Sequence, residues 1–243
     1  IIAHALKYAR FRVSRNIDHL IIQYGLFENH STILPVSRIQ AIRIEEGVFR
    51  QPFGFATLRA ICLGGGTTDD NHSALHTVFP LLRMEEVNAF LRDFLPEYTL
   101  ESATYSRAPK RAWRHFLILD MLISSVVSLI LVCLFYPWGA LALFLIPLSL
   151  FYNDLRYKDQ RWHLTGDKLI VRSRLFRRST VITTSRRIQS SKLKQTPFQQ
   201  KNHLMTYEFD IAGGWLGYNF EMEHIDKEDA EHLLKWLKST KCK

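Results

Sequence analysis

The run FLILDMLISSVVSLILVCLFYPWGALALFLIPLSLFYN, from Phe116 to Asn153, constrains this chain more than any other stretch, and Asp120 is its only charge. A spanning helix needs about 20 mostly apolar residues, each rising about 1.5 Å. The run is therefore too long for one crossing and about right for two. Tyr136-Pro137-Trp138-Gly139 divides it near the middle, where proline stops one helix and glycine eases the turn into the next. The expectation is a transmembrane helical hairpin within residues 114–155, one helix over 114–135 and the other over 138–155. The alternative is a buried helix pair in a soluble protein. A signal peptide is excluded by the internal position and the length.

Arg107, Lys110, Arg111 and Arg114 precede the run, Arg156, Lys158 and Arg161 follow it, and the turn between carries no Lys or Arg. Basic residues mark the cytoplasmic side, so both flanks and the domains on them are expected there. Trp113, Tyr136, Trp138 and Tyr152 fall near the expected interfaces, where amphipathic rings anchor a helix. Asp120 lies about one turn inside the first helix, within reach of the headgroups, and reads as a further interfacial anchor. A proton or ion relay would need ionisable partners in the second helix, and none is expected there.

The remaining residues must be largely water-soluble, since the whole chain of 243 residues has a mean hydropathy of only −0.07. A formal charge of +9 suits nucleic acid or an anionic membrane equally, and the hairpin decides for the membrane surface. Cys62, Cys133 and Cys242 are odd in number and scattered, which gives neither a disulfide framework nor a metal spacing and fits a reducing compartment.

A repeat of period 149 organises everything outside the hairpin. Asp167-Lys168-Leu169-Ile170 falls on Asp18-His19-Leu20-Ile21, Leu175-Phe176 on Leu26-Phe27, Phe198 on Phe49 and Thr206 on Thr57. Arg187-Ile188-Gln189 falls on Arg38-Ile39-Gln40, a triplet read as structural in both copies. The domain reading is a first module over 11–98, a linker over 99–113, the hairpin over 114–155 and a second module over 156–243. Ile1 to Arg15 resembles residues 150–164, the hairpin's exit, so residues 1–10 are expected to leave an earlier membrane helix.

Each module reads as strands followed by one helix. His19–Tyr24, Ser31–Leu34 and Ile39–Glu46 are short, rich in Ile and Leu, and separated by turn residues. Alternation in Ile42-Arg43-Ile44-Glu45 predicts a strand with one wet face. Gly64-Gly65-Gly66 marks a wide turn, matched by Gly213-Gly214. Met84, Val87, Phe90, Leu91, Phe94 and Leu95 form one apolar helical stripe ended by Pro96. Asp226 as N-cap, with Ala230, Leu233, Leu234 and Leu237, predicts the equivalent helix in the second copy.

The elements D-x-L-x-I-x-x-G-L-F (Asp18 to Phe27), P-V-S-R-I-Q-A-I (Pro35 to Ile42) and F-R-Q-P-F-G-F-A-T-L (Phe49 to Leu58) come with a glycine turn, a closing helix and a helical hairpin. Together they resemble the bacterial pleckstrin-homology-like membrane proteins, whose larger members repeat the hairpin-plus-domain unit. In the second copy the G-x-A-T region has become Asn202-His203-Leu204-Met205-Thr206. The resemblance implies an α+β fold, two pleckstrin-homology-like small β-barrels each capped by a C-terminal helix and joined by the transmembrane hairpin, in a bacterial cell membrane. It supplies no catalytic residue and no cofactor, and it implies a smaller relative of the same family as a partner.

Enzyme signals are thin. Gly64 to Thr68 lacks the Gly-Lys-Ser/Thr ending of a phosphate loop. His72 and His76, with Asp69 and Asp70 nearby, lie in a turn-like segment that has no histidine counterpart in the second copy, which argues against a metal site. Charge is more informative. Between Gln160 and Asn202 eleven Lys or Arg face Asp167 alone, whereas Phe11 to Phe53 holds five basic and four acidic residues. Near an inner leaflet each such cation is worth about 1 kcal/mol. Lys168, Arg172, Arg174, Arg177, Arg178, Arg186, Arg187, Lys192 and Lys194 are therefore the candidate surface for anionic lipid or a protein partner; a plain solvated face is the alternative.

The leading expectation is a non-enzymatic, membrane-anchored binding or assembly protein. The runner-up is a subunit of an envelope-integrity or export complex, in which Ser124, Ser125, Ser128, Gly139, Ala140 and Ala142 line an interface between hairpins of several chains, a second copy included. Nucleic acid is not an expected partner so close to a bilayer.

Overall fold

In the computed structural model, residues 11–25, 30–63, 75–100, 105–213 and 217–241 are described. The expectations for residues 1–10, Leu26-Phe27, the Gly64-to-Thr68 turn, Asp69, Asp70, His72, Gly214 and Cys242 lie outside them.

The repeat is visible element by element. The first copy comprises β1 (Arg12–Arg15), β2 (His19–Tyr24), β3 (His30–Pro35), β4 (Ile39–Glu46), β5 (Phe55–Cys62), β6 (Leu75–Arg83) and helix α1 (Met84–Phe94). After β7 (Ser106–Arg107) comes the hairpin, α2 (Trp113–Leu134) and α3 (Leu145–Asp159). The second copy repeats the first: β8 (Arg161–Thr165), β9 (Lys168–Arg174), β10 (Arg178–Thr184), β11 (Ile188–Lys194), short α4 (Pro197–Lys201), β12 (Leu204–Ile211), β13 (Tyr218–Asp226) and α5 (Lys227–Lys241).

Equivalent backbone bonds explain the repeated residues. The Val36 N–H donates to the Asp18 carbonyl at 2.9 Å and the Ser185 N–H to the Asp167 carbonyl at 2.7 Å, which ties the first residue of the 3-10 turn leading into each Arg-Ile-Gln triplet to the same aspartate. Ile39 and Ile188 then plunge into the two cores. The sequence departure at 202–206 leaves the backbone intact. Gly54 has φ +68° and His203 φ +52°, and their carbonyls accept from Met84 at 2.8 Å and Lys227 at 3.1 Å. A non-glycine residue in the left-handed region costs about 1–2 kcal/mol, so the second copy holds this turn against its own preference.

The ladders run β1-β2-β3, β11-β12-β13 and, between them, β6-β5-β4-β10-β9-β8-β7. This seven-stranded sheet crosses from one module to the other where β4 pairs antiparallel with β10, Glu46 opposite Arg178 and Ala41 opposite Thr183. No ladder among the described residues links β3 to β4 or β10 to β11, or otherwise closes the strands into the expected barrels.

The shared sheet is covered on both faces. Ile42, Ile44, Ile170 and Ile182 face the first core, with Leu20, Leu58, Val87 and Leu91. Ala41, Ile61, Leu169, Val171 and Val181 face the second, with Tyr207, Phe209, Met222 and Leu233. Strands buried on both faces read as continuous apolar runs, which accounts for Leu169-Ile170-Val171 and Val181-Ile182. Each such side chain contributes about 1.5–3 kcal/mol on burial, so separating the modules would be costly. The wet face expected for Ile42-Arg43-Ile44-Glu45 is corrected by this: Glu45 is buried, because β10 and its module cover that strand.

Both predicted helical stripes are buried at Val87, Leu91 and Leu95, and at Ala230, Leu233 and Leu237. Asp226 directly precedes α5, and its carboxylate pairs with Arg111. The linker is more than a tether. β7 extends the sheet by pairing with β8, Tyr98 is buried with its hydroxyl donating to the Ile39 carbonyl at 2.8 Å, and Ala108 and Ala112 pack against Phe116.

The hairpin carries two helical stretches long and apolar enough to cross a membrane, Lys110–Leu134 and Trp138–Asp159. Only 11% of each is buried inside the protein, unlike the core helix pair of a soluble fold. The 22 residues of α2 span about 33 Å, matching a hydrocarbon core of about 30 Å. The return begins with a 3-10 stretch, Trp138–Phe144, before α3. A Cβ placed on Gly139 would lie 2.0 Å from the Leu131 carbonyl oxygen, so only glycine lets the two backbones meet there.

Candidate functional site

The base of the hairpin is where membrane, modules and charge converge. Arg156, at the end of the apolar part of α3, reaches Asp120 on α2 at 3.2 Å and Glu223 on β13 at 2.6 Å. Its guanidinium also lies over the rings of Phe116 and Tyr152. The expectation that the second helix holds no ionisable partner for Asp120 is thus corrected, because α3 runs on to Asp159 and carries Arg156, and the pair clamps the helices to the second module.

Around it, His224 forms a second knot. Gln199 lies 2.8 Å from His224 Nδ1, and the His224 ring meets Phe116 edge-on at 4.8 Å. Burial, then the nearby His115 and Arg156, push the His224 pKa down to about 4. Asn202 lies 2.9 Å from His115 Nε2, which ties α4 to the start of α2. Tyr152 donates its hydroxyl to the Leu175 carbonyl, which ties the β9–β10 turn to α3.

The nine candidate basic residues do not form one face. Arg174 is buried, held by Asp159 at 2.5 Å and Gln51 at 2.5 Å. Arg178 grips Glu46 through two nitrogens, and hydrogen bonding to that carboxylate, ahead of simple proximity, raises its pKa. Arg177 is exposed but lies 3.5 Å from Glu45, which also neighbours Arg43 and Arg59. Arg174 and Arg178 are thus corrected from headgroup ligands to interface residues. Two of the cations behind the charge asymmetry, Arg177 and Arg178, answer carboxylates across the joint that the copies share.

The rest are dispersed. Arg172 lies over the Tyr105 ring and bonds Thr180, and Lys194 pairs with Glu208. Lys168 reaches Thr99 at 3.4 Å in the linker. Lys168, Arg186 and Arg187 stand at the opposite end of β9 and β10 from the β9–β10 turn, about 20 Å away at about 3.4 Å per residue. Lys192 and Arg186 are exposed. Arg38 and Arg187 end the repeated 3-10 turns; Arg187 bonds the Tyr98 phenol of the first module, whose pKa burial raises. Gln40 is buried and its carbonyl accepts from Thr183 at 3.0 Å, while Gln189 is exposed with its carbonyl accepting from Lys241.

The ring anchors divide between the two ends of the hairpin. Tyr136 and Trp138 stand exposed at the tight turn, and at the base Trp113 is exposed and Tyr152 half-buried. The small residues are spent inside the chain. Ser128 donates to the Ala142 carbonyl at 2.7 Å, Ser124 meets Ser149 at 3.1 Å and Gly139 is buried, leaving only Ser125 and Ala140 of that set exposed. Most of that stripe therefore packs within the chain.

His76 lies on β6 and His72 outside the described residues; among the described residues no three His, Cys, Asp or Glu gather as a metal site. Arg156, Glu223 and Asp159 are what sequence reasoning missed. In the sequence Arg156 reads as a topology marker, and its doubled role has no local signature.

The sequence is similar to that of a known protein. The UPF0699 transmembrane protein YdbT of Bacillus subtilis (strain 168) is 34% identical over 236 residues, which cover 97% of this chain and 48% of that protein. The chain thus spans about half the length of that relative. No solved structure matches. The family model described as the bacterial PH domain matches residues 1–98 and 116–241, one segment holding the first copy and the other the hairpin and the second copy. With a repeated strand-and-helix module on each side of an apolar hairpin, the chain belongs to the bacterial PH domain family.

Proposed function

We propose that the chain is a non-enzymatic, membrane-anchored binding or assembly protein that holds two fused modules against the inner leaflet. The observation that carries this reading is the Asp120–Arg156–Glu223 clamp, which fastens the apolar hairpin to the second module and, through the shared sheet, to the first. A pivoting tether would suit capture at a distance; a clamped pair of modules suits a fixed platform. The basic flanks on both sides of the hairpin support a cytoplasmic position for that platform.

Two basic regions suit two roles. Arg177, Lys194 and the exposed Arg50 and Lys201 lie at the hairpin's end of the modules and support contact with anionic headgroups. Lys168, Arg186 and Arg187 lie about two Debye lengths further out, where the leaflet's field has largely decayed, and suit an acidic protein partner. The smaller relative implied by the family resemblance is the partner to test first.

The test uses the full chain in nanodiscs of phosphatidylcholine, with and without phosphatidylglycerol, at low and high salt. Amide exchange is read around Arg50, Arg177 and Lys201. Protection that needs the anionic lipid and fades with salt is expected. Equal exchange in both lipids at both salts would overturn the lipid contact.

A further inference from the structure

Exposed phenylalanines in this protein are not scattered. Among the described residues, those that stand exposed are Phe135, Phe144 and Phe151 on the hairpin, and Phe49, Phe53, Phe176 and Phe198 on the modules. The four module residues are 73–89% exposed, a costly state for a large apolar ring in water. Isolated exposed aliphatics such as Ile17 and Ile33 need no explanation, but a cluster of rings does.

The four sit on three loops at one end of the molecule. Phe49 and Phe53 lie in the β4–β5 loop, next to Glu46, and Gln51 of that loop bonds Arg174. Arg174 closes β9, so Leu175 and Phe176 form the adjoining turn, and Leu175 is itself 67% exposed. That turn touches the base of the hairpin directly: Tyr152 bonds the Leu175 carbonyl, and its ring lies 6.4 Å from Phe176. Phe198 is on α4, which Asn202 fastens to His115 at the foot of α2. Phe198 and Phe49 are also equivalent in the repeat, so both modules carry a bare ring on the same loop.

We propose that these three loops dip Phe49, Phe53, Leu175, Phe176 and Phe198 into the headgroup–acyl boundary of the bilayer that the hairpin crosses. The rim is continuous with the hairpin's apolar surface, which says what covers it. Arg50, Arg177 and Lys201 are exposed neighbours of the rings on the same loops, the pairing of apolar tip and cation that suits an interface. The sheet and the clamp fix the loops relative to the helices, so both modules enter at a set depth. This rests on the hairpin spanning the membrane but not on anionic-lipid contact.

The test places one environment-sensitive fluorophore at a time on F49C, F176C or F198C, in the full chain with Cys133 and Cys242 replaced by Ser. Cys62 is buried with its pKa pushed up to about 12, so it stays unlabelled. R186C, at the far end of β10, serves as the wet control and L129C, on the hairpin, as the lipid control. In phosphatidylcholine nanodiscs, brominated lipid is expected to quench the probes at 49, 176, 198 and 129 at least twofold, and iodide to quench only the probe at 186. Probes at 49, 176 and 198 that behave like 186 while 129 is lipid-quenched would overturn the insertion alone. A wet 129 would overturn the spanning hairpin with it. Shielding from iodide without lipid quenching would mean that protein, a second copy foremost, covers the rim, and would also overturn the proposal.

Discussion

Arg178 on β10 clasps Glu46 on β4, its Nε 2.7 Å from one carboxylate oxygen and its second nitrogen on the other. The two residues belong to different copies of the repeat, and their backbones are opposite in the ladder that fuses the modules. The Glu46 side chain is only 2% exposed and depends on that partner.

Removing the arginine alone should therefore be worse than removing both. Arg178→Met leaves a buried carboxylate unpaired and is expected to cost about 3 kcal/mol. Glu46→Met combined with Arg178→Met should recover most of that loss. Thermal unfolding of the four proteins of this cycle checks it, and a double variant as unstable as the single one would refute the pairing.

At the hairpin base, Arg156→Ala removes two ion pairs and two ring faces together. The side chains of Asp120 and Glu223 are about one-third exposed, so each pair is screened and the summed loss should be about 1–2 kcal/mol. The diagnostic is location rather than size. Amide exchange should accelerate in β13 and at the foot of α2, with β5 and β6 unchanged.

Gly139→Ala should be far more damaging than Gly47→Ala. A methyl at 139 meets the Leu131 and Val132 backbone, which cannot swing away, whereas a methyl at 47 meets nothing within 4 Å. Forcing the helices apart is expected to cost about 1–3 kcal/mol, and Gly47→Ala to be nearly neutral. Melting of both variants in detergent decides it.

Much of the architecture was legible because it is written locally. The hairpin shows as sustained hydropathy, the strands at 19–24 and 39–46 as short apolar runs, and the copies as a fixed offset. The joint between the copies was not legible. Ile42-Arg43-Ile44-Glu45 alternates like a strand facing water, and nothing local says that Arg43 and Glu45 face a second module. The basic stretch of the second copy misled for the same reason: Arg178 answers to Glu46, in the other copy, and Arg174 to Asp159 at the end of the hairpin and Gln51 in the first copy. The exposed rings at 49 and 198 did align in the repeat, but alignment alone does not distinguish a core position from a bare one.

His224 gives the fold a pH dependence whose sign is fixed. Its pKa falls from the ordinary 6.5 to about 4 in the folded state, because burial and the neighbouring His115 and Arg156 disfavour its charge. The unfolded chain therefore binds the extra proton first, between about pH 6.5 and 4. Stability from this group is fully present above pH 6.5 and is lost progressively as pH falls through that window, by about 3 kcal/mol at most. His224→Asn isolates the effect, since asparagine tolerates the residue's φ of +53° and its side-chain oxygen can accept from Gln199. The variant should unfold at nearly the same temperature at pH 6.5 and pH 4.5 once the remaining titrations are matched, while the parent loses stability over that interval. Equal losses in both proteins would place the acid sensitivity elsewhere.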